Sequence, residues 1–255
     1  MKRKLIELIR TKFKKIASLY GETYVRVKAR PLTPDEAIGN PELKDFPLLK
    51  GKERLIESRF RNHYGVAFTD QYGNWHGKLK DVLDMKLVNN FRRAVFISTL
   101  NAVMSYKGMI DKTRHCKDKE PGMCAKEIKR YLKKQHKDSK TLALVGFQPV
   151  FVKELASEFT VLCVDLDRDN IDTEKYGVII LDSNRDIESI IEWGDIVLIT
   201  GSVIVNGTID KILRIINKTR KRNVYFYGVT VAGVSQLMGW NRLCFYGRTD
   251  ENRTV

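Results

Sequence analysis

The chain is predicted to be an α/β protein: a parallel sheet with helices on both faces, preceded by a smaller α+β unit. Three observations predict it. From Pro121 onward, short apolar runs alternate with helical patterns at the spacing of strand–helix–strand units. Within that half, Ile196–Ile199 is apolar at four consecutive positions, too uniform for a half-exposed strand and suited to one covered on both faces. Ahead of Asp111 the order differs, with a helix, alternating strands and a second helix.

The elements follow in order. Residues Lys2–Tyr20 place Leu5, Ile6, Ile9, Phe13, Ile16 and Leu19 at helical spacing, with lysines opposite. Thr23–Ala29 alternates Val25, Val27 and Ala29 with Arg26 and Lys28, a strand pattern. Pro31–Lys52 holds four of the six prolines, has no clear period and reads as a long irregular arm. Tyr64–Thr69 and Trp75–Leu79 flank Asp70-Gln71-Tyr72-Gly73-Asn74, which predicts a hairpin. Asn89–Tyr106 returns to helical period. Asp111–Glu120, with seven charged residues in ten, marks a boundary, so the expected domains are 1–117 and 118–255.

In the second half, strands are expected at Thr141–Val145, Thr160–Val164, Val178–Leu181, Ile196–Thr200, Asn223–Tyr227 and Arg242–Tyr246. Helices are expected at Ala125–Gln135, Val150–Phe159, Ile187–Trp193, Ile209–Ile216 and Val231–Met238. This alternation reads as Rossmann-like.

With 255 residues the chain can bury one large core or two smaller ones. The basic N-terminus lacks the continuous apolar stretch of a secretory signal, and no run approaches the roughly 18 apolar residues that span a bilayer. A cytoplasmic protein with no membrane partner is expected. The net charge of +15 makes nucleic acid an alternative partner, but the charge is scattered and no RNP pair, zinc finger or GXXG loop accompanies it. Only four Gln among many Lys, Arg and Glu lean toward a thermophile, against which stand 13 Asn. A homodimer is the ordinary expectation for the architecture.

The candidate binding residues lie at predicted strand ends, where open α/β sheets place ligands. The first strand–helix turn, VGFQPV, has Gly146 alone, so the three-glycine dinucleotide fingerprint is absent; Gly146, Phe147 and Gln148 offer backbone contact. Asp165 ends the next strand 19 residues later, where an acid would bond a ribose diol; with Asp167 and Asp169 it could equally form a solvated turn. Thr200-Gly201-Ser202 and Asn206-Gly207-Thr208 put hydroxyls, an amide and flexible backbone beside a helix start. Plain capping is the competing account. Tyr227-Gly228-Val229-Thr230 repeats the arrangement at the following strand. Asn101, on an apolar helix, is either paired to backbone or turned toward the cleft.

Cysteine usage is sparse. Cys163 and Cys244 lie in apolar runs and read as small buried hydrophobes. His115, Cys116, Cys124 and His136 are the one metal-like set, but C-x7-C matches no common zinc spacing. Metal coordination, a local disulfide and two free thiols in a surface loop all remain open. His63 and His76 flank the expected hairpin. Neither GxSxG nor HExxH occurs, and no catalytic residue can be named.

Three segments together resemble a known family: VGFQPVFVKEL, DIVLITGSVIVNGTID and FYGVTVAGVSQLMG. The chain resembles the putative heavy-metal chelation family over about Asp118–Arg248, most specifically through TGS-x3-NGT, and more loosely through GVAFTDQYGNWHG and Thr99–Ala102. The resemblance implies an enolase N-terminal-like domain joined to a Rossmann-like one, with a ligand between them at the sheet's carboxyl edge. Its positions would be Gly146, Phe147, Thr200, Gly201, Asn206 and Thr208, faced by Asn101. Tyr227–Thr230 departs from the family's usual glycine–proline–serine run. The expected function is binding of a small anionic or metal-chelating organic ligand, nucleotide-, pterin- or chelator-like, in the interdomain cleft. The implied cofactor is a metal ion or a metal-chelating small molecule. The alternatives are a basic nucleic-acid-binding protein and metal binding through Cys116 and Cys124.

Overall fold

The computed structural model describes residues 5–19 and 24–249. Its first part runs α1 (Leu5–Leu19), β1 (Arg26–Pro31), α2 (Pro34–Ala37), β2 (Arg54–Phe60), β3 (His63–Thr69), β4 (Trp75–Lys78), α3 (Leu79–Leu83) and α4 (Asn90–Tyr106). The short α2 sits inside the arm expected to be irregular. Thr33 caps it, exchanging bonds with Glu36 in a capping box. The four strands form an antiparallel sheet in the order β3-β2-β1-β4.

This order corrects the expected hairpin. Tyr64–Thr69 and Trp75–Leu79 lie at opposite edges of the sheet, and Asp70–Asn74 connects them without pairing them. The true hairpin joins β2 to β3 through Arg61-Asn62, with Phe60 opposite His63 and Arg61 at a left-handed φ of 54°. Nothing in the sequence marked β2 because its polar residues face inward. Glu57 is buried beside Arg114 and Arg30, and the buried Ser58 hydroxyl lies 2.6 Å from that of Ser98 on α4. No alternation was visible to read. The predicted Thr23–Ala29 strand is shifted toward the C-terminus as β1, and its first residue falls outside the described residues.

The second part runs α5 (Glu120–Gln135), β5 (Thr141–Val145), α6 (Pro149–Leu155), β6 (Thr160–Asp165), β7 (Glu174–Lys175), β8 (Val178–Asp182), α7 (Ser183–Trp193) and β9 (Ile196–Thr200). A 3-10 turn at Gly201–Ile204, α8 (Ile209–Thr219), β10 (Val224–Tyr227), α9 (Ala232–Met238) and β11 (Arg242–Leu243) complete it. The seven strands are ordered β11-β10-β9-β5-β6-β8-β7, all parallel except β7 against β8. The last strand is two residues long where five were expected.

Alternation along the strands supplies both faces. Ala143, Val145, Val197, Ile199 and Phe226 pack with Ile187, Ile190 and Ile191 of α7 and with α8 and α9. Leu142, Leu144, Ile196, Leu198 and Tyr227 pack with Ala125, Ile128 and Leu132 of α5 and with α6. The expected α/β class, with helices on both faces of a parallel sheet and a smaller antiparallel sheet ahead of it, is what the chain adopts.

The two sheets meet at α4. Gly65 lets the helix lie directly on β3, since a Cβ there would stand 2.4 Å from Ala102 N and Ser98 O. From the helix, the fully buried Asn101 amide Nδ2 donates to Val66 O (3.1 Å), Val229 O (3.2 Å) and Thr230 O (3.1 Å), while its Oδ1 accepts from Gly233 N (2.8 Å). One side chain thus joins α4, β3, the loop after β10 and α9. Replacing Asn101 with Leu leaves three buried carbonyls and one N–H short of this partner. We expect a loss of about 2–4 kcal/mol of stability, read as a lowered urea midpoint.

Candidate functional site

From β5 the chain proceeds outward through β6 to β8, and from β9 in the other direction through β10 to β11. The sheet therefore reverses between β5 and β9, the place where a crevice forms at the carboxyl ends of strands. A cavity of about 390 Å³ lies there. Strand ends form one wall. Residues 46–48, 52–53 and 68–70 of the first part form another.

At the end of β5, Gly146 takes a φ of +93°. A Cβ there would stand 2.6 Å from Thr200 Cγ2, so glycine is what lets the ends of β5 and β9 approach. The Tyr227 hydroxyl donates to Gly146 O at 3.0 Å. Phe147 N donates to Asp165 Oδ2 and Asp167 N to Asp165 Oδ1, both at 2.7 Å. Burial raises the Asp165 pKa against the pull of those N–H bonds. Gln148 caps α6 by accepting from Phe151 N at 2.9 Å.

At the end of β9, the Thr200 and Ser202 hydroxyls lie 3.0 Å apart, and Ser202 N donates to Thr200 Oγ1. Gly201 is pressed against α9, where a Cβ would meet Val231 N at 2.8 Å. Asn206 Oδ1 accepts from Thr208 N (3.1 Å) and Thr208 Oγ1 (2.8 Å). Its Nδ2 has no hydrogen-bond partner among the described residues. At the end of β10, Gly228 has a φ of +90°, and Thr230 Oγ1 accepts from Phe68 N at 3.0 Å. All the predicted binding residues except Asn101 line the cavity. Asn101 resolves toward the backbone-paired alternative.

His115, Cys116 and Cys124 also line the cavity; of the alternatives open for the two cysteines, the structure has free thiols, buried at the cavity wall rather than on a surface loop. Burial pushes both thiol pKa values up, so the free thiols hold their protons at neutral pH. Burial also pushes His115 down to about 4; its Nδ1 lies 2.7 Å from Cys116 O. His136 pairs instead with the Tyr225 hydroxyl at 2.8 Å. Among the described residues, no three His, Cys, Asp or Glu side chains are grouped to hold a metal ion. These residues do not fit a metal bound directly by the protein. Cys163 is buried as expected, whereas Cys244 is half-buried and lines the cavity.

The first part contributes groups that strand-end reasoning did not reach. Glu53, at the mouth of β2, lines the cavity, and its carboxylate has no hydrogen-bond or ion-pair partner among the described residues. Burial, with Asp165, Asp70 and Asp167 nearby, pushes its pKa up to about 7. The adjacent Lys52 ammonium is held by Asp167 (2.7 Å) and Asp169 (2.5 Å). Apolar wall is supplied by Phe46, Leu48, Phe68, Phe147, Phe151 and Leu243. Carboxylates outnumber cations here, opposite in sign to the chain's +15. The one available signal was the length of the irregular 31–52 arm, because such loops in compact proteins are commonly functional.

Strand order and crevice define a doubly wound α/β protein whose crevice is bordered by a second, antiparallel sheet and the arm that precedes it; fold alone assigns no reaction. Residues 131–239 match the family model described as DUF364, putative heavy-metal chelation. The resemblance read from TGS-x3-NGT therefore holds, over a stretch shorter at both ends than expected. A protein with unknown function from that family, from Pyrococcus horikoshii, is 19% identical with a TM-score of 0.55, covering 89% of this chain and 79% of that one. That likeness shows the fold. A second, from Desulfitobacterium hafniense, is 14% identical with a TM-score of 0.48, covering 72% of each chain. No curated protein matches. Among the described residues, no helix is long and apolar enough to cross a membrane.

The Glu53 pKa of about 7 lies above its ordinary 4.5, so the native chain holds a proton that the unfolded chain releases in that window. Stability from this group is complete below about pH 4.5 and falls as pH rises through 7. Glu53→Gln keeps the neutral form at every pH. At pH 8 we expect it to be more stable than wild type by on the order of 2 kcal/mol, and equal at pH 4, in chemical denaturation.

Proposed function

We propose that the protein binds a small metal-chelating organic molecule, alone or carrying its metal, in the cavity between the parallel sheet and the 46–53 arm. The observation that carries this reading is the unpaired Glu53 carboxyl. It lines a space of about 390 Å³ whose other walls are aromatic side chains and a rim of hydroxyls and amides. The Glu53 carboxyl is half-buried at the cavity wall with no partner among the described residues, and a ligand N–H edge or cationic group would pair with it there. With a pKa near neutrality, Glu53 can accept from such a group as a carboxylate or donate as an acid.

Two further features support a ligand that brings its own metal donors. The family description speaks of heavy-metal chelation, and no three protein side chains among the described residues are grouped around a metal position. Of the ligand shapes the sequence allows, the dinucleotide is least suited. The space beside Gly146 that would admit a pyrophosphate is taken by the Thr200 methyl group. Simple anions are disfavoured by Glu53, Asp70, Asp165 and Asp167. A planar, nitrogen-rich chelator, pterin-like ones included, matches the aromatic walls and the acceptor at Glu53. Asn206 Nδ2 and the Thr200 and Ser202 hydroxyls complete the polar contacts.

Calorimetry and thermal shift with a pterin, a bipyridyl chelator and a dinucleotide, each with and without a divalent heavy metal, test this. We expect saturable binding of the chelators, weakened about tenfold by Glu53→Gln and by Asn206→Ala. Tighter binding of the dinucleotide, or unchanged chelator affinity in both variants, overturns the reading.

A further inference from the structure

A second depression, of about 650 Å³, lies between the C-terminal end of α4, the loop 108–112 and α9. Its character is the reverse of the first cavity's. Arg242 reaches it from β11. Its Nε donates to Gly228 O (3.0 Å), Nη1 to Asp111 O (3.3 Å) and Nη2 to Lys112 O (2.6 Å). Three of five guanidinium N–H groups are thus held by backbone carbonyls, which fix the fork in place and leave its charge uncompensated. No carboxylate among the described residues pairs with it. Lys112 stands beside it with its ammonium likewise unpaired among those residues, and its backbone N–H is tied to Thr249 Oγ1 at 3.0 Å. The acid on this rim, Asp111, is exposed and offers Arg242 its carbonyl.

The second observation is independent of charge. Ser235 is 4% exposed, yet its Oγ has no hydrogen-bond partner among the described residues. Its backbone is fixed within the α9 turn, with N donating to Val231 O (2.7 Å) and O accepting from Trp240 N (2.9 Å), and the residue lines the depression, its hydroxyl just beneath the surface. Buried hydroxyls are rarely left unpaired, and one that lines a polar depression calls for an acceptor from outside. Across from it, Ser105 Oγ lies 3.2 Å from His63 Nδ1. Trp240, stacked on Phe226 with centroids 4.4 Å apart, gives the depression an apolar side.

We propose that this depression is a second binding site, for the carboxylate or phosphate group of a small organic anion. Arg242 and Lys112 supply the charge, the Ser235 hydroxyl a donor, and Trp240 the contact for the ligand's carbon frame. Donors dominate the site, so a bare cation does not suit it. An oxyanion does, because a fixed guanidinium fork and a hydroxyl match its geometry. None of these residues lines the first cavity, so the proposal stands apart from the reading of that cavity.

The test is an amide-resolved NMR titration of the full chain with inorganic phosphate and with citrate, at constant ionic strength set by chloride. We expect saturable shifts at Ser235, Gln236 and Lys112 with one or both anions; the tighter one identifies the group as phosphate or carboxylate. Ser235→Ala and Lys112→Gln should each weaken binding about 3–10-fold. The serine variant should keep its melting temperature, because it removes a hydroxyl with no internal partner. Arg242→Lys should abolish binding. Should that variant unfold through loss of its three carbonyl contacts, the serine and lysine variants decide. Equal shifts with chloride alone, or unchanged affinity in both Ser235→Ala and Lys112→Gln, overturn the proposal.

Discussion

A single buried primary amide holds the two sheets of this protein together. Asn101 is fully buried on α4 and binds β3, the loop after β10 and α9 through four backbone groups. Its two N–H bonds serve three carbonyls, so one hydrogen is shared, a geometry that tolerates little displacement. Glycines make the approach possible from both sides. A Cβ on Gly65 would stand 2.6 Å from Asn101 Cβ, and one on Gly233 would stand 2.9 Å from Asn101 Oδ1. Thr230 adds a neighbouring bond by accepting from Phe68 N. These contacts set where β3, and with it Phe68 and Asp70, stands relative to the strand ends. The first cavity has a defined second wall because the staple exists.

The residues that carry the family resemblance in sequence largely perform scaffolding. In TGS-x3-NGT, the Thr200 hydroxyl caps the turn that follows it, Gly201 admits α9, and the Asn206 carbonyl oxygen binds Thr208 twice. Capping and ligand contact are compatible, since each of these groups retains a donor or acceptor directed elsewhere. What remains open at this edge is the Asn206 amide nitrogen and the paired Thr200 and Ser202 hydroxyls. Asp165 shows the same division. Both of its oxygens accept backbone N–H groups that hold the turns after β5 and β6.

That division explains what the sequence made legible. Strands buried on both faces, such as Ile196–Thr200, and the turns that end them were readable because periodicity and turn chemistry are local. β2 was not, because Glu57 and Ser58 are polar residues satisfied by partners distant in sequence, Arg114 and Ser98. The expected hairpin around Asp70–Asn74 failed for the same reason: with β2 unread, its partner strand was assigned to β4. Glu53 was invisible because its significance comes from Asp70, Asp165 and Asp167, which only the folded chain brings near it. The irregular arm signalled a special segment without saying which of its residues face the crevice.

Charge then distinguishes the two depressions. The chain carries +15 overall, but its first cavity concentrates carboxylates, and Lys52 there is already held by Asp167 and Asp169. Solvated lysines around the surface favour anions at long range and are screened within about 8–10 Å at physiological salt. Inside the crevice the local groups govern. The Glu53 pKa is raised to about 7 by burial and by like charges, while His115, also on the cavity wall, is held neutral by burial. Protonation of Glu53 is favoured as pH falls through about 7, whereas His115 resists charging until about 4. A ligand that places a basic nitrogen against Glu53 would lower that pKa and release the proton on binding. Net charge is therefore a poor guide to the chemistry of this crevice; the placement of one carboxyl with no partner among the described residues is the better one.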